Sequence, residues 1–115
     1  EERVVPIANP RDRMDVVLEI RVEGGSVATS ANTERAAHLL DPRTGHPAKD
    51  FGSVTVWASS ALKADALSTA LFVLGPKEGC ALAEQMEGVE AAFIETSKSG
   101  MNVYVTPGLS NKTFM

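Results

Sequence analysis

Ser53-Val54-Thr55-Val56-Trp57-Ala58-Ser59-Ser60-Ala61-Leu62-Lys63-Ala64-Asp65-Ala66-Leu67-Ser68-Thr69-Ala70-Leu71-Phe72-Val73-Leu74-Gly75-Pro76 changes its period once, and that change decides the fold. Over Ser53 to Ala58, Val54 and Val56 alternate with Thr55 and Trp57, which is the period of a strand. Ser59 or Ser60 then supplies an N-cap. The spacing predicts a helix to about Leu74, stopped by Gly75-Pro76. A second helix is expected over Lys77 to Met86, ended by Gly88.

Strands surround this centre. Val4 to Ile7 is a short apolar run ended by Asn9-Pro10. From Val16 to Glu23, Val16, Leu18, Ile20 and Val22 fall on one side, and Glu19, Arg21 and Glu23 on the other. Gly24-Gly25 turns the chain into a return strand over Ser26 to Ser30. Asn32 to Leu40 has an irregular pattern that accommodates a helical turn, and Asp41-Pro42-Arg43-Thr44-Gly45 with Pro47 reads as a loop. Phe93 to Thr96 and Met101 to Thr106 flank Lys98-Ser99-Gly100 as a hairpin. Strands paired by hairpins around two grouped helices predict an α+β domain, mainly antiparallel sheet, rather than a doubly wound one.

The predicted helix carries a chemical anomaly. Leu67, Ala70, Leu71 and Leu74 share one face while Leu62, Phe72 and Val73 occupy others, and a helix apolar nearly all round is expected to be buried. Asp65 and Thr69, at i and i+4, project from one stripe of it. A buried, unpaired carboxylate costs several kcal/mol. A salt bridge to Arg35, Arg43 or Lys63, or a helix edge facing water, would resolve the cost. So would a hard cation. One carboxylate and one hydroxyl are too few for a calcium cage but suit magnesium, which keeps waters and takes phosphate oxygens as further ligands.

Composition narrows the classes. With 115 residues, 43% hydrophobic and 23% charged, the chain has the make-up of one globular domain rather than a disordered segment. A net charge of −4 excludes a general attraction for nucleic acid or anionic lipid, so an anionic ligand needs a local site. Cys80 is the single cysteine, which rules out an internal disulfide and a cysteine zinc cluster. The longest apolar candidate, Ala64 to Gly75, is broken by Asp65, Ser68 and Thr69 and falls short of a membrane span. Glu1 is not an initiator methionine, and Val4, Val5 and Ile7 read as strand residues arriving from upstream. The expectation is a processed or truncated piece.

Taken in order, Val27-Ala28-Thr29-Ser30, His38-Leu39-Leu40-Asp41-Pro42-Arg43-Thr44-Gly45, Ser53-Val54-Thr55-Val56 and Ala64-Asp65-Ala66-Leu67-Ser68-Thr69-Ala70-Leu71 resemble the ApbE family. Phe72-Val73-Leu74-Gly75 and Thr106-Pro107-Gly108 continue the pattern, so the resemblance runs from about Val16 to Gly108. It implies a T-fold-related domain and a magnesium-dependent transferase. Such an enzyme moves the FMN part of FAD onto a threonine or serine hydroxyl of a target flavoprotein of a bacterial electron-transport complex, with AMP leaving. On the matching positions it implies that Asp65 and Thr69 ligate magnesium, that His38 takes part in transfer, and that Thr29 and Ser30 lie by the FAD nucleotide. It further implies that residues 1–115 are the C-terminal portion of the transferase domain. The upstream half would supply much of the flavin pocket and another metal ligand. A periplasmic or outer-envelope location, through a lipid anchor outside this chain, is also implied.

Two features depart from the family pattern. Ala31 replaces the usual glycine after Ala-Thr-Ser, and would be strained if that position required a positive φ. The stretch between Arg35 and His38 is shorter than usual. Read without the family, His38 and His46 are loop histidines, Asp41 organises its own turn, Arg43 binds an anion or a carboxylate of the chain, and Trp57 and Cys80 fill core space. Hydrolysis of FAD to FMN and AMP, or flavin binding without chemistry, are the competing readings.

Overall fold

A computed structural model of the chain describes residues 2–31, 40–110 and 113–114. The elements run β1 (Glu2–Asn9), β2 (Asp12–Glu23), β3 (Ser26–Ala31), β4 (Gly52–Ala58), α1 (Ala61–Gln85), β5 (Glu90–Ser97), β6 (Gly100–Val105), α2 (Pro107–Ser110) and β7 (Thr113–Phe114). Every strand pairing is antiparallel. β1, β2 and β7 make one sheet, and β3-β4-β5-β6 make the other. The α+β expectation holds.

Alternation along the four-stranded sheet separates two cores. Val54, Val56, Ala58, Ala91 and Phe93 point to one face and pack against Ala64, Leu71, Phe72 and Ala83 of α1. Phe51 stacks on Phe72 with ring centroids 4.9 Å apart, which closes that core from the side. On the opposite face Ala92 and Ile94 meet Ile7, Leu18, Ile20 and Val22 of the long β1–β2 hairpin, with Trp57 and Val27 at the margin. The hairpin is therefore a lid on the sheet face that the helix leaves uncovered.

Three local readings change. Val16 was expected inward with Leu18, Ile20 and Val22, but it is exposed, and Val17 packs toward the core instead. The ladder pairs Ile7 with Leu18 and Ala8 with Val16, so one extra residue on β2 makes a bulge that reverses the alternation. α1 is continuous to Gln85 except at Gly75, whose φ of 87° and ψ of 171° break the helix where Gly75-Pro76 predicts a stop. The second half then returns to the sheet through Gly79, where a side chain would strike the Phe93 ring. Ala31 lies in the ladder opposite Ser53, on extended backbone that any residue adopts, so the replaced glycine brings no strain.

Candidate functional site

The helix carrying Asp65 starts cleanly. Ser60 is the N-cap and its hydroxyl accepts the Lys63 N–H at 3.2 Å. From there Ala64, Ser68, Leu71 and Phe72 face the sheet, and Ser68 is buried. The opposite side is open: Leu62 is 80% exposed, and Asp65, Ala66 and Ala70 are exposed. The expectation of a helix buried all round is overturned. The four-stranded sheet offers one surface to it, and among the described residues the opposite side meets just the loop of Leu40, Pro42 and Arg43 across an open groove. Arg43, one partner considered for Asp65, instead bonds Asp41. Asp65 thus has no burial cost to offset, and the anomaly moves from the carboxylate to the uncovered apolar stripe beside it.

Asp65 and Thr69 do share one stripe. The Thr69 hydroxyl donates to the Asp65 carbonyl at 3.3 Å. That bond uses the proton and leaves lone pairs on the oxygen for a cation. Among the described residues no three His, Cys, Asp or Glu side chains gather into a metal cage. The donor set is thus one carboxylate and one hydroxyl on an accessible helix face. It fits a magnesium ion that completes its shell with water and phosphate oxygens, and fits no ion needing a closed protein cage.

The open stripe has a wall. Ala66, Thr69, Ala70, Val73 and Leu74 line a largely apolar groove of about 510 Å³ with Leu40, Pro42 and Arg43. The loop that closes it is held by Asp41. Its carboxylate accepts from the Arg43 backbone N–H at 2.9 Å and from the guanidinium at 3.1 and 3.0 Å, while its carbonyl accepts the N–H groups of Thr44 and Gly45. The Asp41 carboxyl is held below the usual carboxylate range, first by the Arg43 side chain and then by the Arg43 backbone. Arg43 also lies 3.9 Å from Glu78. His46 is exposed in the same loop. His38 lies outside the described residues.

Thr29 and Ser30 diverge, as neighbours on a strand must. The Ser30 hydroxyl is buried under α1, 2.8 Å from Ser68 Oγ. Thr29 faces the other way and meets Thr55 Oγ1 at 2.9 Å. They do not join Asp65 and Thr69 in one constellation of side chains. Trp57 sits half-buried with its Nε1 donating to the Gly24 carbonyl, so it is structural rather than a stacking platform. Cys80 is half-buried, and burial pushes its thiol pKa up, with Glu84 adding to the shift. Sequence reading passed over Ser68 and the groove. Ser68 stands four residues after Ala64 on the buried stripe, which singles it out as a polar group needing a partner across the interface.

Comparison with known proteins agrees with this architecture. A family model described as the ApbE family matches residues 2–93, starting upstream of the motifs quoted above and ending before Thr106-Pro107-Gly108. An FAD:protein FMN transferase of Treponema pallidum is 42% identical over 90 residues, which are 70% of this chain and 25% of that protein. The apo crystal structure of a Pseudomonas stutzeri flavinyl transferase aligns at 38% identity with a TM-score of 0.70, over 93% of this chain and 36% of that one. The crystal structure of the apbe protein from Thermotoga maritima aligns at 32% identity and a TM-score of 0.76, over 93% of this chain and 37% of that one. The chain therefore spans between a quarter and about two-fifths of the length of these relatives.

Proposed function

Because the chain belongs to the ApbE family, we propose that the protein it builds transfers the FMN part of FAD to a threonine or serine hydroxyl of a target flavoprotein. The acceptor is a component of a bacterial electron-transport complex, and the reaction takes place at the outer face of the membrane, through a lipid anchor outside this chain. Residues 1–115 are the C-terminal portion of the transferase domain. They carry part of the metal and pyrophosphate site, and the stretches of the relatives that this chain does not span correspond to the rest.

The observation that carries this reading is the position of Thr69. It is one turn beyond Asp65 and also a wall of the apolar groove. A cation held by Asp65 and Thr69 would lie at the edge of an apolar groove of the kind that takes a flat ring of a nucleotide. Asp65 and Thr69 would hold the magnesium. When bound, the ion supplies neutralised charge at the phosphate oxygens. The acceptor oxygen forms a bond to the FMN phosphorus as the pyrophosphate P–O bond breaks. The electron pair of that bond leaves with AMP. The hydroxyl proton passes to a base, for which His38 is the candidate by family resemblance.

The deciding assay uses the complete reading frame that contains this chain, with FAD, magnesium and an acceptor domain, read as flavin fluorescence on the acceptor in a denaturing gel. Fluorescent acceptor and released AMP are expected. FMN and AMP without labelled acceptor would assign hydrolysis instead, and FAD bound but uncleaved would assign a binding module.

A further inference from the structure

The two walls of the apolar groove are built separately. One is helix: Ala66, Thr69, Ala70, Val73 and Leu74, ending where Gly75 breaks α1. The other is the loop that carries Leu40, Pro42 and Arg43. This loop is closed on itself. Leu40 bridges Pro47, the Asp41 N–H donates to the His46 carbonyl at 2.8 Å, and the Asp41 carbonyl accepts from Thr44 and Gly45. Past its far end, Ala48 and Phe51 anchor the chain in the helix-side core. A loop bonded internally and anchored at one end moves as a unit.

Asp41 also aims Arg43. Its carboxylate holds Nε and Nη2 at 3.1 and 3.0 Å, and the guanidinium is a planar fork. The remaining edge, Nη1, is thereby turned toward Glu78 on α1, 3.9 Å from its carboxylate. Pro76, whose ring pre-sets a helical φ, starts the half of α1 that carries Glu78, just beyond the groove wall. A separation of 3.9 Å is a Coulomb contact, whereas a hydrogen bond between charged partners needs about 2.7–2.9 Å. Both side chains are exposed, so water screens the pair and it contributes little as it stands. A ligand that fills the groove expels water beside the pair. The attraction then strengthens, and about 1 Å of closure makes it a hydrogen bond.

We propose that the 40–47 loop is a strap that closes on a ligand in the groove, and that Glu78 is a positioning residue that draws it shut through Arg43. The identity of the ligand rests on the FAD reading; the strap does not.

The test compares Glu78→Gln with the wild type in the complete protein, with magnesium and FAD. A simple field effect gives tighter binding, since the variant removes a negative charge near an anionic ligand. The strap gives the opposite sign: FAD affinity about threefold weaker, the size of an exposed ion pair, with kcat for acceptor labelling and melting temperature unchanged. The loss should vanish in an Arg43→Gln background, where Glu78 has no cation to draw on. Equal or tighter binding by Glu78→Gln overturns the strap and leaves the FAD reading standing. So does a loss that persists without Arg43. If the wild type binds no FAD, that reading falls and the ligand-free protein at low salt decides the strap. With methyl labels, Glu78→Gln should then shift Leu40 on the loop as well as Val73 and Leu74 on the helix, and a shift confined to the helix overturns it.

Discussion

Ser30 on β3 and Ser68 on α1 bring their hydroxyls to 2.8 Å inside a core that is otherwise apolar at that level. Ser68 gives its proton to the Asp65 carbonyl at 2.9 Å, so Ser30 is the donor between the two. The pair fixes how far along the strand the helix sits, and with it the position of Asp65 and Thr69. Ser68→Ala should destabilise the chain by about 1–3 kcal/mol, because Ser30 is left buried without a partner. The double variant Ser30→Ala with Ser68→Ala should recover part of that loss. Denaturant midpoints for the three variants decide it, and a double variant no more stable than Ser68→Ala contradicts the pairing.

Gly75 tests the break in the helix. Its φ of 87° and ψ of 171° belong to a region that side chains avoid, yet a Cβ built there meets nothing. Gly75→Ala should therefore cost about 1–3 kcal/mol through the backbone alone. Thermal melts check the magnitude. A neutral substitution would mean that the two helical halves join without the break.

Acid should open the groove loop. The Arg43 side chain, then its backbone N–H, lowers the Asp41 pKa in the folded chain. The clasp is thus fully present above the unfolded value of about 3.9 and is lost as pH falls through the lower, folded value. Amide shifts of Thr44 and Gly45 should move with a midpoint below about 3.9, and Asp41→Asn should abolish that transition. A midpoint at or above the ordinary carboxylate value contradicts the clasp.

Most strands and the helix break were legible because each rests on local chemistry. Val54 and Val56 alternate, Ser60 caps, and Gly75-Pro76 stops a turn whatever lies across from it. The reversal at Val16 was not legible, since the bulge depends on how β2 registers against Ile7 and Ala8. Periodicity placed Asp65 and Thr69 on one stripe correctly, but it misjudged their burial. A helix apolar all round signals partners on every side, but the described chain packs one side on the sheet and sets just the loop of Leu40, Pro42 and Arg43 across a groove from another. Motif order, not periodicity, pointed to Thr29 and Ser30, so it could not say that one faces the hairpin and the other the helix.

Asp65 is exposed, and its removal should separate binding from folding. Asp65→Ala in the complete protein should change folding stability by no more than ordinary surface substitutions do, about 0.5 kcal/mol. Magnesium-dependent FAD binding should be abolished. Calorimetry with and without magnesium measures both arms. Unchanged, metal-dependent FAD affinity would remove Asp65 from the metal site.

His38 should show the opposite split. A base, or a group that orients the attacking hydroxyl, acts mainly in the transition state, so its loss falls on kcat with little change in FAD affinity. General-base contributions run to about 10²–10⁴-fold, which is the drop expected for His38→Ala in FMN transfer to an acceptor. A histidine that only shapes its loop would instead lower melting temperature, binding and turnover together. The comparison needs three readings on one preparation of the complete protein: FAD affinity, melting temperature and the rate of acceptor labelling. The Asp65 and His38 variants then bracket the mechanism. Failure of binding in the first, with retained binding and lost turnover in the second, is the pattern of a transferase whose cation holds the pyrophosphate while a separate residue moves the proton. Wild-type turnover in His38→Ala assigns proton transfer elsewhere.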